Sequence, residues 1–128
     1  MADRFRFELV TPERMALSED VAQVVVPGVE GEFTVLAGHA PVISALRPGV
    51  IEVALPEAGG KTRIFVKGGF AEVDADHLTV LAERAIPVEA LDAATELETA
   101  EAELAAASDD AARLAAASAV ESLKALRA

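Results

Sequence analysis

The sequence predicts an antiparallel β-sandwich followed by an antiparallel α-helical hairpin. Two observations carry this. All eight Gly lie at or before Gly69, all six Pro at or before Pro87, and all five Phe between Phe5 and Phe70. A β domain punctuates itself with Gly and Pro, whereas a helical segment avoids both. The apolar period also changes from two to a 3-4 spacing at the same place. The expected domains are therefore 1–87, a sandwich, and 88–128, a helical hairpin.

In the first part, Phe5, Phe7 and Leu9 alternate with Arg4, Arg6 and Glu8, which gives a strand with one apolar face, and Thr11-Pro12 ends it. Residues 15–17 suggest a short strand. Residues 21–26 and 32–36 pair around a turn built from Pro27, Gly28 and Gly31. A second turn, at 38–41, precedes strands at 42–46 and 50–55, which are separated by Arg47-Pro48-Gly49. A hairpin loop is expected at 56–60. Strands at 63–67 and 70–73 flank Gly68-Gly69, a corner where backbones crowd, and 77–81 follows the turn at Asp74 and Asp76. Nine or ten short strands in so few residues require two facing sheets. The expected inward set is Phe7, Leu9, Val24, Val26, Phe33, Val35, Ile51, Val53, Ile64, Val66, Val73 and Val80.

In the second part, Ala93, Leu97, Ala100, Leu104 and Ala107 form one helical stripe, and Ala112, Ala116, Ala119, Leu123 and Leu126 form another. Ser108-Asp109-Asp110 between them is short enough to make the helices antiparallel neighbours and acidic enough to cap the second. The Ala seam lets the backbones approach but buries little, since each Ala contributes far less than the roughly 1.5–3 kcal/mol of a Leu. Leu91, Leu114 and Val120 fall off the seam and are expected to dock on the sandwich.

Charge and composition exclude several functions. A net charge of −11 disfavours nucleic acid, which requires Lys and Arg to displace counterions, and disfavours an acidic membrane surface. No Cys is present, so disulfides and thiolate metal sites are absent. No apolar run reaches the roughly 18–20 residues of a membrane span. The start, Met1-Ala2-Asp3-Arg4, lacks an apolar signal core, so a cytoplasmic location is expected. Catalytic candidates are few. His39 and His77 stand far apart without metal-ligand spacing, and Ser18, Ser44 and Ser108 lack a nucleophile-elbow context. Gly68-Gly69 lacks the Lys-Ser or Lys-Thr of a phosphate loop. What remains is surface: Glu32 and His39 are expected in adjacent turns at one end of the sandwich, where exposed polar groups suit contact with a partner.

The motifs Pro27-Gly28-Val29-Glu30-Gly31-Glu32-Phe33, Gly38-His39-Ala40-Pro41, Leu46-Arg47-Pro48-Gly49 and Val66-Lys67-Gly68-Gly69-Phe70 with Glu72-Val73, continued by Thr79-Val80-Leu81-Ala82-Glu83, resemble the epsilon subunit of the F-type ATP synthase in order and spacing. The resemblance implies a ten-stranded sandwich with a helical hairpin. It implies a non-catalytic central-stalk subunit that clamps the gamma subunit to the membrane proteolipid ring while the complex makes ATP using proton flow. The subunit would lie at the cytoplasmic face of the bacterial inner membrane, without inserting into it. By the same resemblance, Glu32, Gly38 and His39 face the ring, and Thr11, Val66, Lys67, Gly68 and Gly69 face gamma. In the family the hairpin can also extend along gamma toward the catalytic alpha and beta subunits and block hydrolysis, and some members bind ATP through Leu-Asp-x-x-Arg-Ala. The matching positions here are Leu91, Asp92, Thr95 and Glu96, so the phosphate-binding Arg has become Thr and an acid follows it; no cofactor is expected. Residues 89–128 carry nine acids and three bases, a net −6, and the first helix has no base, so a weak inhibitory role is expected. A free-standing nucleotide-sensing sandwich is the alternative.

Overall fold

The computed structural model describes residues 4–56 and 59–127, the last without its side chain. Eight strands occur among the described residues: β1 (Phe5–Thr11), β2 (Arg14–Val21), β3 (Gln23–Gly28), β4 (Gly31–Leu36), β5 (Val42–Ala45), β6 (Gly49–Ala54), β7 (Lys61–Val73) and β8 (His77–Pro87). A short 3-10 turn, Val88–Ala90, leads into α1 (Ala93–Ala106) and α2 (Asp110–Arg127). Glu57 and Ala58 of the expected 56–60 loop lie outside the described residues.

The count of eight corrects the expected nine or ten, and β7 supplies the reason. Residues 63–67 and 70–73 are one strand, because Gly68 and Gly69, at φ +64° and +115°, bend the chain without reversing it. Before the bend β7 pairs with β6; after it, Phe70–Val73 pair with β5. On its other edge β7 pairs with β8 along nearly its whole length. The sheet, in the order β2-β1-β8-β7-β6-β3-β4 with β5 on the far half of β7, thus folds over on itself into two layers. One pair departs from the expected antiparallel pattern: β1 runs parallel to β8. No turn joins these two strands, so no local signal dictates their direction.

The layers close on a core of Phe5, Phe7, Leu9, Val21, Val24, Val26, Val35, Ile51, Val53, Val66, Val73, Leu78 and Val80 with their neighbours. Every expected inward residue takes part; only Phe33 is half-buried, packed against the core's edge. No helical residue belongs to this cluster.

The hairpin forms a second cluster on the outer face of the β3–β6–β7 layer. Phe65 of β7, 1% exposed, packs with Leu97, Ala100, Ala119, Val120 and Leu123, and Val50, Leu91, Leu104 and Leu126 close the edges. Asp92 caps α1, accepting from the Thr95 N–H at 3.2 Å, and Asp109 caps α2, accepting from the Ala112 N–H at 2.7 Å. Val120 and Leu91 pack as expected, but Leu114 does not: it is 73% exposed. Ala112, expected in the seam, is exposed too. The first turns of α2 stand off from the sandwich across an open cavity, with Ala111, Leu114 and Ala115 on one side and Leu46 and Pro48 on the other, so side chains there are not closely packed.

A Cβ on Gly69 would sit 1.8 Å from the Leu81 carbonyl oxygen, whereas one on Gly68 would meet only the flexible Glu83 carboxylate at 3.2 Å. Gly69→Val is therefore expected to destabilise the chain by at least ~2–4 kcal/mol, through backbone clash and a disfavoured φ. Gly68→Asn, in a left-handed region that Asn tolerates, should cost under about 1 kcal/mol. Urea midpoints of the two variants check this; equal shifts would disprove the asymmetry.

Candidate interaction surface

The hairpin covers one outer face of the sandwich and leaves the other bare. On the bare face the strand register aligns Ala45, Phe70, Leu81, Val10 and Met15 in one row across β5, β7, β8, β1 and β2. Phe70 is 56% exposed, and Leu81 and Met15 are each 52% exposed. Successive strand residues alternate faces, so Ala71, Val80 and Leu9 turn inward while this row turns outward. A shallow cavity of about 370 Å³ opens beside it, lined by Val10, Thr11, Gly69, Phe70, Leu81 and Glu83. The same face ends in a polar patch: His77 Nε2 lies 2.7 Å from Glu8 Oε1, and Arg6 donates to Ser18 at 2.8 Å. Sequence reasoning singled out none of the row. Its signal was faint, an apolar residue at the outward parity in Thr79-Val80-Leu81-Ala82-Glu83, where both parities carry apolar residues.

The gamma-facing set inferred from the resemblance divides here. Thr11 and Gly69 border the cavity beside the apolar row. Thr11 Oγ1 donates to the Arg14 carbonyl across the β1–β2 turn at 3.2 Å. Gly68 adjoins Gly69 at the bend. Val66, however, is fully buried in the sandwich core, so its side chain is closed to any partner. Lys67 points to the hairpin side, where its Nζ lies 3.1 Å from Glu103 of α1.

Glu32, Gly38 and His39 occupy one edge, not one end. β4 is the last strand of its layer; Glu32 is its second residue, and Gly38 and His39 follow its close. After Leu36 the chain turns, the His39 N–H donating to the Leu36 carbonyl at 3.2 Å, so only the stretch from Glu32 to Leu36 is extended. The Gly38 N–H donates to the Ala75 carbonyl at 2.8 Å, tying this turn to the β7–β8 turn. The His39 ring folds back on Phe33, with centroids 6.4 Å apart.

Each position matching the ATP motif has a structural role. Leu91 closes the edge of the hairpin cluster. The Asp92 carboxyl is held below its ordinary range, first by the Thr95 hydroxyl at 2.9 Å and then by the Thr95 N–H. Glu96 forms a two-point pair with Arg84 of β8, at 2.6 and 2.8 Å. With Lys67–Glu103, this supplies α1 with its opposite charges from the sheet. α2 is tied by Ser118, which donates to the Pro48 carbonyl at 2.9 Å and accepts from Arg47 at 3.2 Å. Among the described residues no group of three or more His, Cys, Asp or Glu is placed to hold a metal ion, and no helix is long and apolar enough to cross a membrane.

Comparison with known proteins agrees with this architecture. The family model described as ATP synthase, Delta/Epsilon chain, beta-sandwich domain matches residues 4–88. The ATP synthase epsilon chain of Parvibaculum lavamentivorans is 48% identical, with 99% of this chain and 98% of that one covered. That of Maricaulis maris is 47% identical over 100% of this chain and 97% of its own. A chain in the solved Euglena gracilis mitochondrial ATP synthase, comprising OSCP, F1 and c-ring, superposes with a TM-score of 0.75 at 32% identity, covering 97% of this chain and 79% of that one. With a sandwich of this topology, a docked helical pair and near-complete alignment to such relatives, the chain belongs to the ATP synthase epsilon chain family.

Proposed function

We propose that this chain is a non-catalytic subunit of the central stalk of a proton-translocating F-type ATP synthase, at the cytoplasmic face of a bacterial inner membrane. In this reading the bare outer face seats the gamma subunit, the β4 edge touches the membrane proteolipid ring, and the sandwich between them carries torque. The observation that carries it is the row Phe70–Leu81–Val10–Met15. Three large apolar side chains more than half exposed on one rigid row are costly unless a partner covers them. Thr11 and Gly69 border the row, which supports their assignment to the same contact. Glu32, Gly38 and His39 belong to the ring contact, which then runs lengthwise along an edge strand.

The hairpin acts as a weak brake. Its docking on Phe65 and its ion pairs to Arg84 and Lys67 favour the seated position. Phe65 supplies apolar burial to this hold, and the two-point Arg84–Glu96 pair, with the Glu96 side chain only 12% exposed, adds to it. An extended tail with a net charge of −6 would meet acidic segments of the catalytic subunits with repulsion screened over about 8–10 Å.

Phe70→Glu with Leu81→Glu is expected to weaken gamma binding at least tenfold, ~1.4 kcal/mol, with the melting temperature little changed because both side chains lie outside the core. Undiminished binding, measured by calorimetry, would remove this face from the contact. Along the edge, Glu32→Arg and His39→Trp should lower ATP-driven proton pumping in membranes more than they lower ATP hydrolysis; pumping at the parent rate in both would exclude the β4 edge.

Truncation after Pro87 tests the hairpin and the domain boundary together. The sandwich core contains no helical residue, so the remaining chain should melt in one transition with no helical circular dichroism. In the assembled complex the truncation should raise hydrolysis by no more than about twofold, ~0.4 kcal/mol in barrier. A chain unfolded at room temperature would contradict the boundary, and a tenfold rise would contradict the weak brake.

A further inference from the structure

Two turns and the second helix meet at Arg47. It lies in the short link between β5 and β6, beside the start of the β3–β4 turn, where Pro27 and Gly28 are buried. The Arg47 N–H donates to the Pro27 carbonyl at 3.0 Å, and its Nε donates to the Gly28 carbonyl at 3.3 Å. Its Nη1 donates to Ser118 Oγ of α2 at 3.2 Å, and Ser118 donates in turn to the Pro48 carbonyl at 2.9 Å. On the other side of the turn the Val29 N–H donates to the Ala45 carbonyl at 2.9 Å. Both acceptors of the Arg47 side chain are neutral, and among the described residues no carboxylate pairs with it.

Packing repeats the link. A Cβ on Gly49 would lie 3.0 Å from Pro27 Cβ and 3.5 Å from Ser122 Oγ, so α2, β6 and the end of β3 approach closely here. A Cβ on Gly28 would lie 2.8 Å from the Gly31 carbonyl oxygen and 3.0 Å from the Phe33 ring, so the turn has no slack on its other side. Pro27 is the cross-strand neighbour of Glu32, and a shift of Pro27 is therefore felt at the start of β4. The cluster around Phe65 shares no residue with the sandwich core, so the hairpin can leave its seat without opening that core. Only the seated hairpin supplies Ser118 and Ser122 to the junction.

We propose that Arg47 couples the seating of the hairpin to the closure of the β3–β4 turn. With α2 seated, Ser118 fixes the guanidinium against the Gly28 carbonyl and the turn is held shut. With α2 released, that fix is lost and the turn opens more often. Arg47 is a positioning residue. Its planar fork holds two acceptors in a fixed relation, which the single ammonium of Lys does not. Coupling of this kind is reciprocal, so a turn that is forced open also weakens the seat of α2. The coupling is internal to the chain; only its consequence for a ring contact at the β4 edge rests on the function proposed above.

Amide hydrogen exchange of the full-length chain, resolved by NMR, tests this. The Val29 N–H reports the turn, and the amides of β1 and β8 report global stability. Ser118→Ala, a change on α2, should speed Val29 exchange by about fivefold or more while β1 and β8 stay within about twofold. Arg47→Lys, which keeps the charge and loses the fork, should do the same. Combining the two should add less than about twofold, because both cut one path. Gly28→Ala, which strains the turn, should speed exchange at Ala119 and Val120 of α2 more than in β1 and β8. Val29 exchange within about twofold of the parent in Ser118→Ala, effects of the two changes that multiply, or an equal acceleration of every amide would each overturn the coupling. Proton pumping by the Glu32 and His39 variants decides the ring contact separately, and its failure would leave this coupling standing.

Discussion

The bend at Gly68–Gly69 is the constraint on which the rest of the molecule depends. A 13-residue strand cannot serve two layers unless it turns partway, and the turn occurs where the Leu81 backbone passes too close for any Cβ. Because β7 turns, its first half pairs with β6 and its second half with β5. Because β8 follows it, the two layers share two strands and the core between them is closed. The Leu46 N–H donates to the Gly69 carbonyl at 2.9 Å, so the bend also fixes the entry to β6. The same place brings the two outer faces into contact at their margins.

Those outer faces are used differently. One turns Phe65 outward and the hairpin covers it. The other turns Phe70 outward, and none of the described residues covers it. Phe65 and Phe70 are five residues apart on one strand, so without the bend they would lie on opposite faces by simple alternation. With it, they also belong to different layers. The covered face is held by packing first and by charge second, because α1 carries acids only and must find Arg84 and Lys67 on the sheet. Both pairs are partly buried, so salt screens them less than it would fully exposed ones.

Much of this was legible from residue pattern. The Gly and Pro distribution separates strands from helices because those residues punish a helix interior and serve a turn. Alternation identified the inward residues because a buried face admits only one parity. The cap of the second helix was placed within Ser108-Asp109-Asp110 and falls on Asp109, whereas the cap of the first, Asp92, emerged only in the structure. The partner-facing residues were less legible. Val66 belongs to a motif that carries the resemblance, yet its side chain fills the core. Leu114 has a docking residue's chemistry but lies where α2 stands off from the sandwich across an open cavity.

By itself, the sequence determined where strands give way to helices, which residues turn inward, how the second helix is capped and which charges the first lacks. These are local matters, settled within a few residues by backbone sterics, period and solvation. Only the tertiary structure decided that β1 and β8 run parallel, that β7 is one strand and not two, that Glu32 and His39 share an edge, and that Phe70, Leu81, Val10 and Met15 form one row. Each of these depends on pairing between residues far apart in the chain. Strand direction and cross-strand neighbours are set by how a shared core is closed, and no short stretch of sequence contains that information.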